Sequence, residues 1–203
     1  MITPFLPSDS GAVAAPALYD IVDSPVGRLL LTGDEQALTG LYMLNTGGRP
    51  AAVRADWTRR PGGLAQAAEQ LAEYFAGSRT EFDLALAPTG SPFQLAVWAE
   101  LARIPYGVTV SYGEVATAIG KSLLASRAVG LANGRNPISI IVPCHRVIGA
   151  DGSLTGYGGG LDRKEWLLRH EGAPFGVGVG VGGRGRGRGR GAAADREQQP
   201  TLF

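Results

Sequence analysis

The sequence predicts an α+β protein: a small N-terminal α/β domain with an antiparallel sheet, then a mostly helical domain that contains a helix-turn-helix. Short apolar runs separated by turn residues occupy the first part of the chain, helix-capping signals recur in the second, and glycine dominates the end. We therefore expect an α+β domain at residues 1–88, a helical domain that carries the helix-turn-helix and the single cysteine at residues 89–174, and a disordered Gly/Arg-rich tail at residues 175–203. Hydrophobic residues make up 44% of the 203 residues, which is enough for a buried core.

The N-terminal elements follow from alternating apolar residues and turn signals. Residues 1–16 are rich in proline, serine and alanine, so we expect irregular chain there. Three strand-like runs separated by turns predict an antiparallel meander, namely Tyr19–Val22, Arg28–Thr32 and Leu38–Leu44. A loop is expected over residues 45–62. Apolar residues on one face, followed by a glycine, predict a helix over Leu64–Ala76, and Phe82–Leu86 has the pattern of a further strand.

Capping signals organise the helical domain. The pair Ser91-Pro92 predicts the start of a helix, because serine caps the first turn and proline tolerates its first position. A capping box at Ser111–Glu114 opens a second helix. A third is predicted over Leu124–Ala132, with Asn133-Gly134 as the turn that ends it, and the last over Leu161–His170. The second and third helices form the predicted helix-turn-helix.

Charge and cysteine content restrict the class of protein. The net charge is only +1, yet residues 1–90 carry 6 basic and 10 acidic side chains, whereas residues 91–174 carry 8 and 6. Positive charge in the C-terminal part suits contact with phosphate. A single cysteine excludes an intrachain disulfide and a zinc site built from several cysteines. We see no signal peptide and no apolar stretch of membrane-spanning length, so we expect a cytoplasmic protein with no membrane partner.

The cysteine lies in the motif Pro143–Val147, directly after the β-branched run Ile138–Val142. Because proline donates no backbone hydrogen bond, it ends the run and lets Cys144 and His145 occupy a turn. The imidazole can take the thiol proton, directly or through one water, which would raise the thiolate fraction above that of a free cysteine of pKa about 8.5. Glu171 is a candidate to orient the imidazole. The alternative interpretation is a small buried cysteine beside a surface histidine.

The motif and its flanks resemble the active-site region of the O6-alkylguanine-DNA alkyltransferases. The resemblance extends from about Ser91 to Gly172, and the N-terminal meander with its Ser-Pro-Val-Gly turn also looks like the first domain of that family. Besides the motif, the matching stretches are Val110–Ala116, Arg127–Gly130, Asn133–Pro137 and Gly156–Leu161. Family members usually have a proline before the third helix, their recognition helix. Here Gly120–Ala125 lacks it and is one residue longer, so we expect a looser turn.

The resemblance implies direct-reversal DNA repair. Family members bind double-stranded DNA, flip an O6-alkylguanine out of the stack and transfer its alkyl group to their own cysteine in a single-turnover suicide reaction. The implied activity is that of a methylated-DNA–[protein]-cysteine S-methyltransferase, without cofactor or metal, with O4-alkylthymine as a second candidate substrate. We expect a monomer that associates with the nucleoid.

The resemblance also implies individual roles. Cys144 accepts the alkyl group, His145 acts as its base through water, Glu171 orients His145, and Tyr112 donates a proton to the leaving guanine. The implied DNA-binding residues are Arg127, which fills the gap left by the flipped base, and Ala128, Gly130 and Arg135. The implied base pocket and its support comprise Asn136, which braces the active-site turn, and Tyr157, Gly158 and Gly159.

Two features of the tail suggest further contacts. Arginine alternates with glycine over residues 184–190, a pattern that either binds nucleic acid by charge or serves as a solvated linker. Gln199, Leu202 and Phe203 match the short Gln-x-x-Leu-Phe peptide that docks bacterial repair proteins onto the replication sliding clamp. The clamp is therefore a candidate second partner, and a flexible tether would suit such docking.

Two other functional classes compete with this interpretation. One is a non-catalytic alkyl-lesion binding protein of the same fold that signals damage; such proteins replace the cysteine, and this chain keeps it. The other is a cysteine hydrolase that uses Cys144, His170 and Asn136, which would need an oxyanion hole for which the sequence has no support.

Overall fold

The computed structural model describes Phe5, residues 18–44, Val53 and residues 56–176. The N-terminal sheet has the strand order β3-β2-β1-β4. Its strands are β1 (Leu18–Val22), β2 (Leu29–Gly33), β3 (Leu38–Met43) and β4 (Thr58–Arg59). The first three form the predicted antiparallel meander, and β2 is buried throughout because it lies between two neighbours. The prediction of loop over residues 45–62 is wrong at β4, which pairs in parallel with β1.

Helix α1 (Ala65–Phe75) follows the sheet, one residue shorter at each end than predicted, since Leu64 and Ala76 are its caps. It buries the face that carries Ala67, Leu71 and Tyr74. The predicted strand over Phe82–Leu86 is reduced to a single parallel bridge between Leu86 and Leu38.

The second part of the chain is helical, as predicted, which confirms the α+β class. Its elements are α2 (Pro92–Leu101), β5 (Val110–Ser111), α3 (Tyr112–Ala118), α4 (Ser126–Gly134), β6 (Val147–Ile148) and α5 (Leu161–His170). Ser91 and Ser111 each form a capping box, with Gln94 and Glu114 respectively. Strands β5 and β6 pair in parallel and bring the start of α3 next to the segment that follows Cys144.

Two predicted boundaries in this part are wrong. The third helix does not run from Leu124 to Ala132: a 3-10 helix over Leu123–Ala125 precedes α4, which continues through the predicted Asn133-Gly134 turn. It continues because the side chain of Asn133 is buried and donates a hydrogen bond to the carbonyl of Cys144 at 3.3 Å. The longer turn before α4 therefore closes as a 3-10 helix rather than as a loose loop.

The β-branched run Ile138–Val142 forms turns instead of a strand. The amide of Val142 donates to the carbonyl of Ile138 at 3.0 Å, and Ile140 has a φ of 72°, a left-handed conformation that a β-branched residue rarely adopts. Only Ile138 pairs with the sheet, through a bridge to Leu41. One apolar core therefore extends from the sheet to the segment that carries Cys144.

No helix among the described residues is long and apolar enough to cross a membrane. The predicted irregular segment, apart from Phe5, and the predicted disordered tail beyond residue 176 lie outside the described residues.

Candidate active site

Cys144 begins a 3-10 helix (Cys144–Arg146) in the centre of the molecule, with 3% of its surface exposed. Pro143 precedes it, so the cysteine and His145 occupy a turn, as the sequence predicts. The backbone of Cys144 is held on both sides: its amide donates to the carbonyl of Val142 at 2.8 Å, and its carbonyl accepts from Asn133. The thiol therefore has a fixed position on a backbone that belongs to the core.

Asn136 fixes the turns that lead to the cysteine. Its side-chain amide donates to the carbonyl of Val142 at 2.7 Å, and its oxygen accepts from the amide of Ile138 at 3.0 Å. Both ends of the segment containing the strained Ile140 are thereby tied to one buried side chain.

Burial raises the pKa of the Cys144 thiol, an effect that Asn136 and the charge of Lys164 oppose. The direction is opposite to our expectation of an enhanced thiolate fraction, because desolvation disfavours the anion more than the neighbours favour it. In the resting protein the sulfur is thus a thiol, and activation requires that its proton leave during the reaction.

His145 is fully buried and hydrogen-bonded to Glu171, with 2.8 Å between Nε2 and Oε1. Burial lowers the pKa of the imidazole more than the neighbouring carboxylate raises it, so the ring is neutral at neutral pH. A neutral imidazole that donates from Nε2 keeps a lone pair on Nδ1. That Nδ1 atom is buried and has no hydrogen-bond partner among the described residues. The ring therefore has one free acceptor.

Glu171 is the centre of a buried hydrogen-bond network. Arg146 binds it in bidentate fashion, from Nε to Oε2 at 2.8 Å and from Nη2 to Oε1 at 2.9 Å. The hydroxyl of Tyr74 donates to Oε1 at 2.7 Å, and the amide of Gly107 donates to Oε2 at 3.3 Å. These donors and His145 hold the pKa of the carboxyl well below its usual range despite burial.

The sequence analysis missed two members of this network. Arg146 lies inside the motif, yet nothing in its position distinguishes a buried partner of Glu171 from a solvent-exposed arginine. Tyr74 comes from α1 in the N-terminal part, 97 residues before Glu171, and no local pattern signals that contact.

A cluster around Thr155 lies beside the cysteine. Lys164 is fully buried and donates from Nζ to the carbonyls of Val147 at 2.6 Å and Thr155 at 2.8 Å. Desolvation lowers its pKa to about 8. Tyr112, half-buried, donates to the carbonyl of Thr155 at 3.4 Å and accepts from its hydroxyl at 3.3 Å. Lys164 thus ties the loop before the predicted base pocket to β6.

The predicted pocket residues follow this loop. The hydroxyl of Tyr157 is buried and has no hydrogen-bond partner among the described residues, and burial raises its pKa well above the ordinary value. A Cβ on Gly159 would lie 2.6 Å from Sδ of Met43 and from the ring of Tyr157, so any larger residue would force one of these side chains to shift. Gly158 is less confined, with the carbonyl of Gly134 at 3.7 Å from such a Cβ.

The outer face of α4 carries the predicted DNA-binding residues. Arg127, Ala128 and Arg135 are exposed, and Gly130 lies against Tyr112, with 3.7 Å from the position of a Cβ to the ring. Because Tyr112 also contacts the Thr155 loop, this face borders the region of the cysteine.

His170, the histidine of the hydrolase alternative, is held in a separate place. Its Nε2 lies 2.8 Å from the carbonyl of Tyr74, and its ring stacks on Trp166 with 5.0 Å between centroids. The histidine that pairs with a carboxylate next to the cysteine is His145.

Fold and site together define a helix-turn-helix protein with a buried cysteine next to a histidine–glutamate pair. The DNA-binding domain model of the 6-O-methylguanine DNA methyltransferases matches residues 92–173. The model of their ribonuclease-like domain matches residues 17–88. The chain therefore belongs to the 6-O-methylguanine DNA methyltransferase family, which confirms the resemblance found in the sequence.

Individual relatives are similar over most of the chain. The methylated-DNA–protein-cysteine methyltransferase of Mycolicibacterium paratuberculosis is 58% identical over 153 residues, which cover 75% of this chain and 91% of the relative. That of Methanosarcina barkeri is 54% identical, over 75% of this chain and 96% of the relative. The crystal structure of Mycobacterium tuberculosis OGT in complex with DNA superposes with a TM-score of 0.71 at 54% identity, covering 77% of this chain and 95% of that one.

Proposed function

We propose that this protein repairs DNA by transferring the alkyl group of O6-alkylguanine to Cys144. The observation that carries the proposal is the buried thiol next to a neutral His145 whose Nε2 is bound to Glu171 and whose Nδ1 is free. Family membership supports the substrate, and the relatives named above are methylated-DNA–protein-cysteine methyltransferases.

The chemical step is an in-line displacement at the alkyl carbon. Sγ of Cys144 forms the new carbon–sulfur bond while the bond from that carbon to guanine O6 breaks. The thiol proton passes to Nδ1 of His145 through one water, and Glu171 stabilises the imidazolium that results. The guanine that leaves takes a proton from the hydroxyl of Tyr112, and the imidazolium proton restores the tyrosine. The products are unmodified guanine and an S-alkylcysteine.

The raised pKa of Cys144 suits a protein that reacts once. A protonated, buried sulfur is protected from oxidants and from other electrophiles until the target base is in place. After transfer, the sulfur is a thioether, and Cys144 is the only cysteine in the chain. Each molecule therefore removes one alkyl group.

A mass measurement tests this function. The protein is incubated with duplex DNA that carries one O6-methylguanine, and its intact mass is recorded. We expect a gain of one methylene per molecule, located on Cys144, and no gain for Cys144→Ser, which replaces sulfur by oxygen at the same position. Lack of the gain in the unaltered protein, or repair of more lesions than protein molecules, would refute the proposal.

We propose that the protein binds DNA through the outer face of α4. Arg127 enters the stack in place of the flipped base, Ala128 and Gly130 allow close approach to the minor groove, and Arg135 binds phosphate. Tyr157, Gly158 and Gly159 then line the pocket that receives the base. The exposure of Arg127 and the contact of Gly130 with Tyr112 support this orientation.

An unpaired lesion separates this role of Arg127 from a simple charge effect. Arg127→Ala should slow alkyl transfer from a duplex much more than from single-stranded DNA, because an unpaired base needs no replacement in a stack. Arg103→Ala, which removes an exposed arginine at the end of α2, serves as the control. Equal slowing on both substrates would contradict the assigned role.

Since the DNA substrate lies in the nucleoid, we also propose that the protein acts there, in the cytoplasm. We further propose that Gln199, Leu202 and Phe203 dock the protein onto the replication sliding clamp. These three residues are outside the described part of the chain, so the support is the sequence match alone. Deletion of residues 199–203 should abolish co-elution with the purified clamp. Unchanged co-elution of the deletion variant, or no co-elution of the full chain, would exclude this partner.

A further inference from the structure

Two large apolar side chains are exposed in the turn between α3 and α4. Leu123 is 67% exposed and Leu124 is 93% exposed, whereas most large apolar side chains of the described residues are buried. Leu131, seven residues after Leu124 and on the outer side of α4, is 65% exposed. We call Leu123, Leu124 and Leu131 the leucine patch. Large exposed apolar surface is typical of sites where a partner binds, so we ask which partner would cover these side chains.

Leu123 connects the leucine patch to the start of α3. A Cβ on Gly113 would lie 3.0 Å from Cδ2 of Leu123, so this leucine packs on the first turn of α3. The neighbouring residue of that turn is Tyr112, which contacts both Gly130 of α4 and the Thr155 loop. In the approach to DNA that we propose, a duplex that delivers a base past Tyr112 would also cover the surface on which Leu123 lies.

The charges around the patch suit a polyanion. Residues 115–150 contain no aspartate or glutamate. Lys121, Arg127 and Arg135 are exposed within that stretch, so cations flank the leucines on both sides along the chain. Phosphates on the two edges of a groove would meet these cations, while the leucines between them would face the sugars.

We propose that the leucine patch packs against the deoxyribose walls of the DNA minor groove when the lesion is delivered. Leu123 and Leu124 act as an apolar wedge ahead of Arg127, in the manner of apolar side chains that widen and bend a minor groove. This inference rests on the proposed function, because it assumes that DNA approaches along α4. It assigns to the residues of the longer turn a direct part in DNA binding.

The salt dependence of DNA binding distinguishes an apolar contact from a charge contact. The double variant Leu123→Ala/Leu124→Ala should bind a short duplex that holds one protein molecule about 5- to 20-fold more weakly, since apolar area no longer leaves water. The slope of log affinity against log salt should stay unchanged, because leucine displaces no counterions. Lys121→Ala should instead lower the magnitude of that slope by about 1.

The matched control is Val108→Ala, which shortens an exposed apolar side chain in the segment before β5. Val108 is 41% exposed, and its neighbour Thr109 contacts Pro174 rather than the α4 face. We expect unchanged affinity for this variant. All variants should keep the melting temperature of the unaltered protein, because the altered side chains are exposed.

Three results would overturn the proposal. One is an affinity of the double variant equal to that of Val108→Ala, and another is a loss accompanied by a lower salt slope. The third is a loss seen only on long duplexes that hold several protein molecules, which would identify a second copy of the chain as the partner. The mass gain on Cys144 is measured separately at saturating DNA. If the unaltered protein shows the gain together with any of these three results, the leucine contact is refuted and the proposed function stands. If the unaltered protein shows no gain, the proposed function is refuted.

Discussion

Tyr74→Phe tests whether the N-terminal part of the chain takes part in the chemistry. The substitution removes one hydroxyl and keeps the ring, which packs against Phe75, Phe82 and Tyr106. What is lost is the 2.7 Å hydrogen bond to Oε1 of Glu171, the same oxygen that binds His145.

The cost to stability follows from the charge of the acceptor. A hydrogen bond to a charged group contributes about 1.5–3 kcal/mol. Oε1 retains Arg146 and His145 as partners, so we expect the lower part of that range, about 1.5–2 kcal/mol. For a chain of this size the melting temperature measured by calorimetry should fall by about 3–8 °C, and urea unfolding gives the loss of free energy directly.

The pH dependence of the reaction should change as well. Without the tyrosine hydroxyl, the pKa of Glu171 rises and the carboxylate attracts the imidazole proton more strongly, so the pKa of His145 also rises. Because His145 must be neutral to accept a proton, the acidic limb of the alkyl-transfer rate against pH should move to higher pH. Tyr74→Phe should therefore be slowest, relative to the unaltered protein, on the acid side.

The control is Tyr106→Phe, which removes a hydroxyl that donates to the neutral carbonyl of His170 at 3.2 Å. We expect a loss of about 1 kcal/mol and an unchanged pH profile for this variant. If both variants lose equal stability and neither moves the acidic limb, Tyr74 has only a packing role and the reasoning fails.

Further predictions concern the groups around the site. Glu171→Gln should lower the free energy of unfolding by about 3–5 kcal/mol in urea at neutral pH, because the buried Arg146 loses its counter-charge. The loss should shrink in acid: a carboxyl with a lowered pKa stabilises the fold above its unfolded pKa, and this contribution disappears as pH falls. In the unaltered protein we expect the transfer rate to fall as pH rises through about 8, because Lys164 then loses its charge and no longer lowers the pKa of Cys144. Lys164→Met should not show this fall. Transfer rates measured on both sides of pH 8 for the two proteins test the prediction. Gly159→Ala should cost about 1–3 kcal/mol in urea unfolding through overlap with Met43, and Gly158→Ala, which has more room, should cost less.

Local signals in the sequence predict most of the helices and the reactive turn. The capping boxes at Ser91 and Ser111 mark helix starts because serine and a residue three positions later satisfy backbone groups within one turn. The motif around Cys144 predicts its turn through Pro143, and the resemblance carried by that motif names the family correctly.

The errors occur where distant contacts override local preference. Ile138–Val142 has the composition of a strand, but Asn136 ties its two ends together and forces turns. Asn133-Gly134 has the composition of a turn, but the contact of Asn133 with Cys144 keeps it helical. The prediction of an enhanced thiolate fraction at Cys144 is wrong for the same reason. Burial raises the pKa of the thiol, and burial depends on the whole core rather than on the neighbouring histidine.

The N-terminal part of the chain contacts the candidate active site and its supporting helix at three points. Tyr74 binds Glu171 from behind the histidine, and Met43 closes on Gly159 in the predicted base pocket. Arg163 of α5 donates to the carbonyls of Val26 at 2.5 Å and Leu44 at 3.1 Å, which fixes the helix that also carries Lys164. The first contact holds Glu171 and the second confines the base pocket, while the third fixes the start of α5. A displacement of the sheet would therefore loosen the base pocket and the carboxylate behind the proton acceptor together. Because the thiol is kept protonated by burial, the proposed reaction needs the proton acceptor and the base pocket in place at once. We therefore expect the N-terminal part to contribute to reactivity through position, since none of its side chains is assigned to the reaction.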